Sequence, residues 1–364
     1  MQQSRLISRK IVARWICGSI VGTLLVLLTS PLFVRSYLPR EVDSHRDAIV
    51  LQVGAGYRWR SEGYATTIIG RWGMPGKSYL PANHASENSR VIALWGDSQA
   101  EGVCVDDREK LFACLERAYA KADEQVTVLP FARSGDDCND WIHQIKTVES
   151  AQGIPEIDMH LFLVSEWEDW SVAAKTPSEV IDPRLNWASA NLPAAFVQAA
   201  RNVLTDGQTD NFRKLRFSVG PIAKSGKPNT VVGQDSLASQ EAEFQQAVAK
   251  QFERLCKATD VPCVMIDAPL FPTITNGIVV WGPTDERRSS AIHRLAERNG
   301  LTVINVNNSL QKAAMNGRWP RGFHNGRFGE GHYNGFGNEL IANQVVEVLT
   351  QKSEADQQTG RRGD

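Results

Sequence analysis

The chain has 364 residues, with 40 Lys+Arg against 41 Asp+Glu for a formal net charge of -1 at pH 7, and is 42% hydrophobic and 22% charged. That length suffices for one large domain or two ordinary ones, and the composition excludes collagen-like, low-complexity and wholly disordered classes. Balanced charge leaves no electrostatic footprint for wrapping nucleic acid, so no nucleic-acid partner is expected.

From Trp15 to Val34 the sequence WICGSIVGTLLVLLTSPLFV is uncharged and long enough to cross a bilayer core as one helix. Arg5, Arg9, Lys10 and Arg14 precede it. The positive-inside bias makes 1–14 a cytoplasmic leader, 15–34 a single-pass signal anchor, and the remainder extracytoplasmic, on the periplasmic or cell-surface side; Arg35 and Arg40 run against that asymmetry. A cleaved signal peptide ending near Thr29, Ser30 and Pro31 is the alternative, although the apolar run exceeds a usual signal core.

Residues 35–89 read as a tether with short edge strands, because glycines break up stretches such as AIVLQV and TTII. The domain proper spans 90–350. It opens on VIALW, a continuous apolar run of buried-strand type, followed by the turn GDSQAEG and the helical LFACLERAYAKA. VTVLPF, the turn ARSGDDCND, the helical WIHQIKTVESA and the strand MHLFLV continue the alternation. About 167–235 the regularity fails around several prolines, which reads as an insertion. A helix through Phe244, Val248, Phe252 and Leu255, the strand VPCVMIDAP, a helix stopped at Gly300, the strand LTVINV and the helical NELIANQVVEVLT follow, and 351–364 reads as a disordered tail. Alternating strands and helices predict an α/β class: a three-layer α/β/α, flavodoxin-like domain with a mostly parallel sheet and functional residues at the carboxyl ends of strands.

Cys17 falls in the span, while Cys104, Cys114, Cys138, Cys256 and Cys263 lie beyond it. Cys256 and Cys263 flank the short CKATDVPC turn and could form a local disulfide in an oxidising compartment; the other three allow several partners, and small buried thiols are the alternative for all. No CxxC pair occurs and no His stands at a ligand-like interval from these cysteines, so neither a metal nor an organic cofactor is expected.

GDSQAEG is the most informative string. Its Ser98 sits directly after a buried strand and before a helix, which exposes a nucleophile beside amides able to stabilise an oxyanion. Ala100 stands where G-x-S-x-G needs Gly, so this is not the α/β-hydrolase elbow. Gly96, Asp97, Ser98 and Gly102 resemble the first block of the SGNH, or GDSL, hydrolases, of a membrane-tethered bacterial type. Gly135 in ARSGDD matches the second block, and His332 in GEGHYNGFGNELIA matches the last, on the loop before the C-terminal helix. GRWGMPGKSY at 70–79 is also similar to a glycine-rich segment of tethered members, with Pro75 where Arg is expected.

The resemblance implies a serine esterase, or an O-acyl (acetyl) transferase, acting on an acylated carbohydrate such as a surface polysaccharide, or on another small ester. Ser98 would be the nucleophile, His332 the general base and the Ser98 and Gly135 amides the oxyanion hole. Two departures stand out. The third block's Asn is replaced, with Glu168 before Asp169 in its place, so either Glu168 is protonated, or it points elsewhere, or another donor such as Asn139 substitutes; one lost oxyanion donor costs roughly a hundredfold to a thousandfold in rate. The acid that orients the His is expected two or three residues before it, where Glu330 is the local candidate. His324 in GFHNGRFG is an alternative base. Trp167, Trp170, Trp187, Trp281 and Trp319 could stack on sugar rings or simply pack. The rival function is a catalytically silent domain that binds glycans or envelope partners, which predicts Ser98 and His332 apart or Glu168 filling the oxyanion site.

Overall fold

The computed structural model describes residues 9–60, 62–78, 89–173, 180–198, 234–275, 277–282 and 286–360. It opens on helix α1 (Arg9–Phe33), whose stretch Lys10–Phe33 is long and apolar enough to cross a membrane and lies outside the protein core. The expected span is thus most of a longer helix that starts before Trp15.

Among the described residues, those of 34–78 are neither a loose tether nor edges of the main sheet. Strands β1 (Arg40–Asp43) and β2 (Ala48–Leu51) pair antiparallel, as do β3 (Gly56–Arg58) and β4 (Thr66–Ile68), in two separate ribbons. They dock by burial: Trp72 and Met74 enter the core, and Arg46, 1% exposed, donates to Gln144 Oε1, Trp72 O and Phe131 O. Burial lowers the Arg46 pKa to about 10, so it stays charged at neutral pH.

The central sheet contains β5 (Arg90–Trp95), β6 (Val126–Pro130), β7 (Met159–Val164) and β8 (Cys263–Asp267). A small ribbon of β9 (Thr273–Thr275) and β10 (Ile278–Val280) precedes its last strand, β11 (Thr302–Asn305). The order is β11-β8-β7-β5-β6 and all four pairings are parallel. Counted from β5, this is the 2-1-3-4-5 order of flavodoxin-like folds, whose ligand crevice opens at the strand carboxyl ends beside the first strand.

Helices follow the strands: α2 (Ser98–Glu101), α3 (Leu111–Lys121), α4 (Cys138–Ser150), α5 (Pro183–Asn191), α6 (Gln234–Ala258), α7 (Glu286–Arg298), α8 (Asn307–Met315) and α9 (Gly335–Gly360). Strand side chains alternate between two buried faces, which is why these runs are continuously apolar rather than alternating. Phe162 and Val164 meet Trp141 of α4, Phe252 of α6 and Ile292 of α7; Leu161 and Leu163 meet Leu115 of α3, Leu310 of α8 and Val345 of α9. Each such large side chain, fully buried, contributes about 1.5–3 kcal/mol. This is the expected three-layer α/β/α fold.

Three expectations need correction. Helix α9 runs to Gly360, so most of the supposed tail from Gln351 is helical. In the supposed insertion, a short turn at Trp167–Trp170 and α5 are regular, and 199–233 lies outside the described residues. Cys256 and Cys263 are not joined: both thiols are free, Cys256 exposed with its Sγ on Asn299 O and Cys263 buried with its Sγ on Val261 O.

Candidate active site

The nucleophile turn is built from its backbone outward. Gly96 leaves β5 with φ +150, and a Cβ there would meet Ala100 Cβ at 2.6 Å, so only glycine lets the chain turn this tightly into α2. Asp97 caps α2 by accepting from Gln99 N at 2.9 Å, and Lys110, fully buried, donates to Gly102 O at 2.6 Å at the other end. Ser98 is thereby fixed at the first position of α2, at the carboxyl end of β5.

Ser98 Oγ lies 3.0 Å from His332 Nε2. His332 Nδ1 lies 3.0 Å from Glu62 Oε2, and the His332 backbone N–H donates to Glu62 Oε1 at 2.7 Å. A carboxylate at Nδ1 selects the tautomer with its proton there, leaving the Nε2 lone pair to accept from the Ser98 hydroxyl. The partner of His332 is therefore Glu62, not the expected Glu330, whose carboxylate pairs with Arg327 at 3.3 Å. Gly331 explains the choice. Its φ is +76, and a Cβ would sit 2.0 Å from Glu62 Oε1, so the glycine next to His332 is what admits the distant acid. The His332 loop is secured at several points: Tyr333 N donates to Gln99 Oε1, Tyr333 Oη to Ala268 O, and Arg321 to Gly331 O and Leu270 O. Asn334 Oδ1 accepts from Gly337 N at the start of α9, which accounts for the Asn-x-x-Gly turn.

Gly135 lies in the turn between β6 and α4, held to the nucleophile turn by Arg133 N donating to Gly96 O. Buried Glu101, on the same short helix as Ser98, accepts from Ser134 N at 2.7 Å and from Ser134 Oγ. The amides of Ser98 and Gly135 donate to no protein acceptor among the described residues. Of the residues expected from the sequence, the structure brings Ser98 and His332 within hydrogen-bond distance and puts Gly135 in the adjoining turn; Glu62 and Glu101 were not expected.

Asn139 does not serve as the substitute donor. It is fully buried, its Nδ2 donates to Asp137 Oδ1 and Ala173 O, and its Oδ1 accepts from Arg254. Glu168 does not oppose an oxyanion either: it is 59% exposed and paired with Arg288 at 3.0 Å. Burial raises the pKa of the neighbouring Asp169 to about 7, with Asp97 the largest of the nearby acids that add to the shift. His324 stacks on Tyr64. Trp167 and Trp170 pack against Phe252 in the core, whereas Trp187 and Trp281 are exposed.

Two other clusters carry titratable groups. Glu62, Cys104 and His332 bring three ligand-type atoms within 4.8 Å of one another. Burial and the Glu62 charge push the Cys104 thiol well up, which disfavours its thiolate. Asp267, His293 and Ser289 line a cleft of about 640 Å³ at the carboxyl ends of β7, β8 and β11. Both Asp267 Oδ2, at 2.7 Å, and Ser289 Oγ, at 3.3 Å, address the same nitrogen, His293 Nε2, so this imidazole does not link an acid to a serine through its two nitrogens as His332 does.

Fold and site together define a doubly wound α/β/α domain bearing a serine–histidine–glutamate relay. No family model matches the chain, and no curated protein matches it. It is similar to solved structures, including a member of the lipolytic protein G-D-S-L family from Veillonella parvula, at 14% identity over 72% of this chain and 98% of that one, with a TM-score of 0.37. Two others are the psychrotrophic esterase EstA from Pseudoalteromonas sp. (10% identity, 73% and 99% covered, TM-score 0.37) and a two-domain esterase active on acetylated mannans (11%, 72% and 49%, TM-score 0.37).

Proposed function

We propose that this protein is a membrane-anchored serine ester hydrolase of the SGNH type, working on the extracytoplasmic side on an acylated carbohydrate, by hydrolysis or acyl transfer. The observation that carries the reading is the Ser98–His332–Glu62 chain, with both links at 3.0 Å. Ser98 Oγ attacks the ester carbonyl carbon while its proton passes to His332 Nε2, and the imidazolium is stabilised by Glu62. The carbonyl oxygen, now negative, takes hydrogen bonds from the Ser98 and Gly135 amides. Collapse of the tetrahedral intermediate expels the alcohol, which receives the proton from His332 and leaves an acyl-serine. Water, or a sugar hydroxyl in a transferase, then attacks with His332 again as base.

Support for the carbohydrate part comes from the cleft of about 640 Å³. Its wall at Leu270 is tied through Arg321 to Gly331 beside His332, and Asn305, Asn307, Asn308 and Ser290 offer uncharged donors and acceptors suited to sugar hydroxyls. Support for the anchor is the apolar stretch of α1 and the basic residues Arg5, Arg9, Lys10 and Arg14 around its start.

The test is hydrolysis of p-nitrophenyl acetate by the full chain in a non-ionic detergent, against Ser98→Ala. Turnover in the wild type that disappears in the variant is the expected result; equal rates in both would leave the binding-domain reading in its place.

A further inference from the structure

A second cavity, of about 210 Å³, is walled by neighbours of both halves of the site. Ser134 in its wall precedes Gly135 of the oxyanion turn, and Trp59, also in the wall, packs edge-on against the His332 ring with centroids 6.4 Å apart. A ligand group filling this cavity is therefore separated from the oxyanion turn by Ser134 and from the His332 ring by Trp59.

The lining is cationic. Arg35, Arg40 and Arg133 contribute three guanidinium groups against one carboxylate, Glu101, which is engaged by the Ser134 amide and hydroxyl. Arg133 is paired with Asp136. Arg35 is different: its Nε donates to Tyr37 Oη at 3.0 Å, its guanidinium lies over the Tyr37 and Trp59 rings at 4.9 and 5.3 Å, and no carboxylate pairs with it among the described residues. A partly buried cation held on an aromatic platform without a counter-charge is preorganised for an anion, since its fork of N–H groups matches a carboxylate or phosphate. The small volume suits a charged group and a few attached atoms, below the roughly 300–1,000 Å³ of sites that enclose whole drug-sized ligands.

We propose that this cavity binds an anionic group, a carboxylate or phosphate, carried by the ester that Ser98 attacks, with Arg35 as its principal ligand. The proposal rests on the ester-hydrolase reading and narrows its substrates to negatively charged esters.

The test compares phenyl acetate with 4-carboxyphenyl acetate, using the full chain in a non-ionic detergent. The expected ratio of kcat/KM favours the anionic ester by roughly tenfold, consistent with one charge-assisted contact. Arg35→Met, which preserves packing on the two rings, brings the ratio towards one, Arg35→Lys retains part of it, and Arg298→Met, on the exposed face of α7, leaves it alone. A ratio near one in the wild type, or one unchanged by Arg35→Met, overturns the proposal. Calorimetric titration of Ser98→Ala with phenyl phosphate separates the two readings: binding that Arg35→Met abolishes upholds the anion site even if neither ester is turned over, and absence of binding overturns it even if both are.

Discussion

Glu62 and His332 are 270 residues apart in sequence, yet the Glu62 carboxylate holds both the backbone N–H and the Nδ1 of His332. The acid of the relay thus comes from the segment joining β3 to β4, which itself sits against the end of α1: Ser36 N donates to Arg58 O at 2.8 Å and Arg60 Nε to Pro31 O at 3.3 Å. The partner of His332 is thus supplied by the part of the chain that packs against the apolar helix.

Replacing Glu62 by Gln should lower kcat by about 10²–10⁴ with little change in KM, because the acid acts on the imidazolium formed in the transition state. Glu330→Gln should stay within about twofold of wild type. Steady-state kinetics of the two variants decides between the acids; a severe loss in Glu330→Gln with a mild one in Glu62→Gln would reverse the assignment.

Glu101 is a positioning residue, clamping the Ser134–Gly135 turn to the helix of the nucleophile. Glu101→Ala should lower kcat by about 10–100-fold, a fraction of the full value of an oxyanion donor, while Glu101→Gln, which can still accept from the Ser134 amide, recovers part of it. KM for an anionic ester should not rise, since the change removes a negative charge from the cavity of Arg35. A rise in KM at unchanged kcat would mean that Glu101 acts on binding instead.

Asp169 makes stability depend on pH. Its folded-state pKa is raised to about 7, mainly by burial, above the ordinary value of ~3.9 in an unfolded chain. The folded state therefore holds this proton more tightly, and the stabilisation is complete below about pH 4 and lost as pH rises through about 7. Asp169→Asn removes that loss, so its urea midpoint should gain on the wild type between pH 5 and pH 8. A difference between the two proteins that is the same at both pH values would show that Asp169 does not titrate in this window.

The core and three site positions were legible because local sequence determines them. Apolar runs with both faces buried mark the strands, and Ser98, Gly135 and His332 each fall in a turn directly after a strand or before a helix, in the order of a known family. Glu62 was not legible, since nothing in RSEGY distinguishes a relay acid from a surface carboxylate; only the clearance at Gly331 gives it access, and that is a property of the folded loop. Asn139 and Glu168 misled for a related reason. Type and position suited them to an oxyanion site, but the direction of each side chain is set by Arg254 and Arg288, whose nearness depends on how α6 and α7 pack on the sheet. The Cys256–Cys263 turn was close enough in sequence for a bridge, but one thiol faces solvent and the other the core.

Covalent labelling of the full chain with a fluorophosphonate, followed by peptide mass mapping, tests the nucleophile most directly, because it needs no knowledge of the natural ester. The adduct is predicted on the peptide containing Ser98, absent from Ser98→Ala and slowed by at least about a thousandfold in His332→Ala. A wild-type chain that takes no label, or one whose label persists in Ser98→Ala, would contradict the Ser98–His332–Glu62 relay.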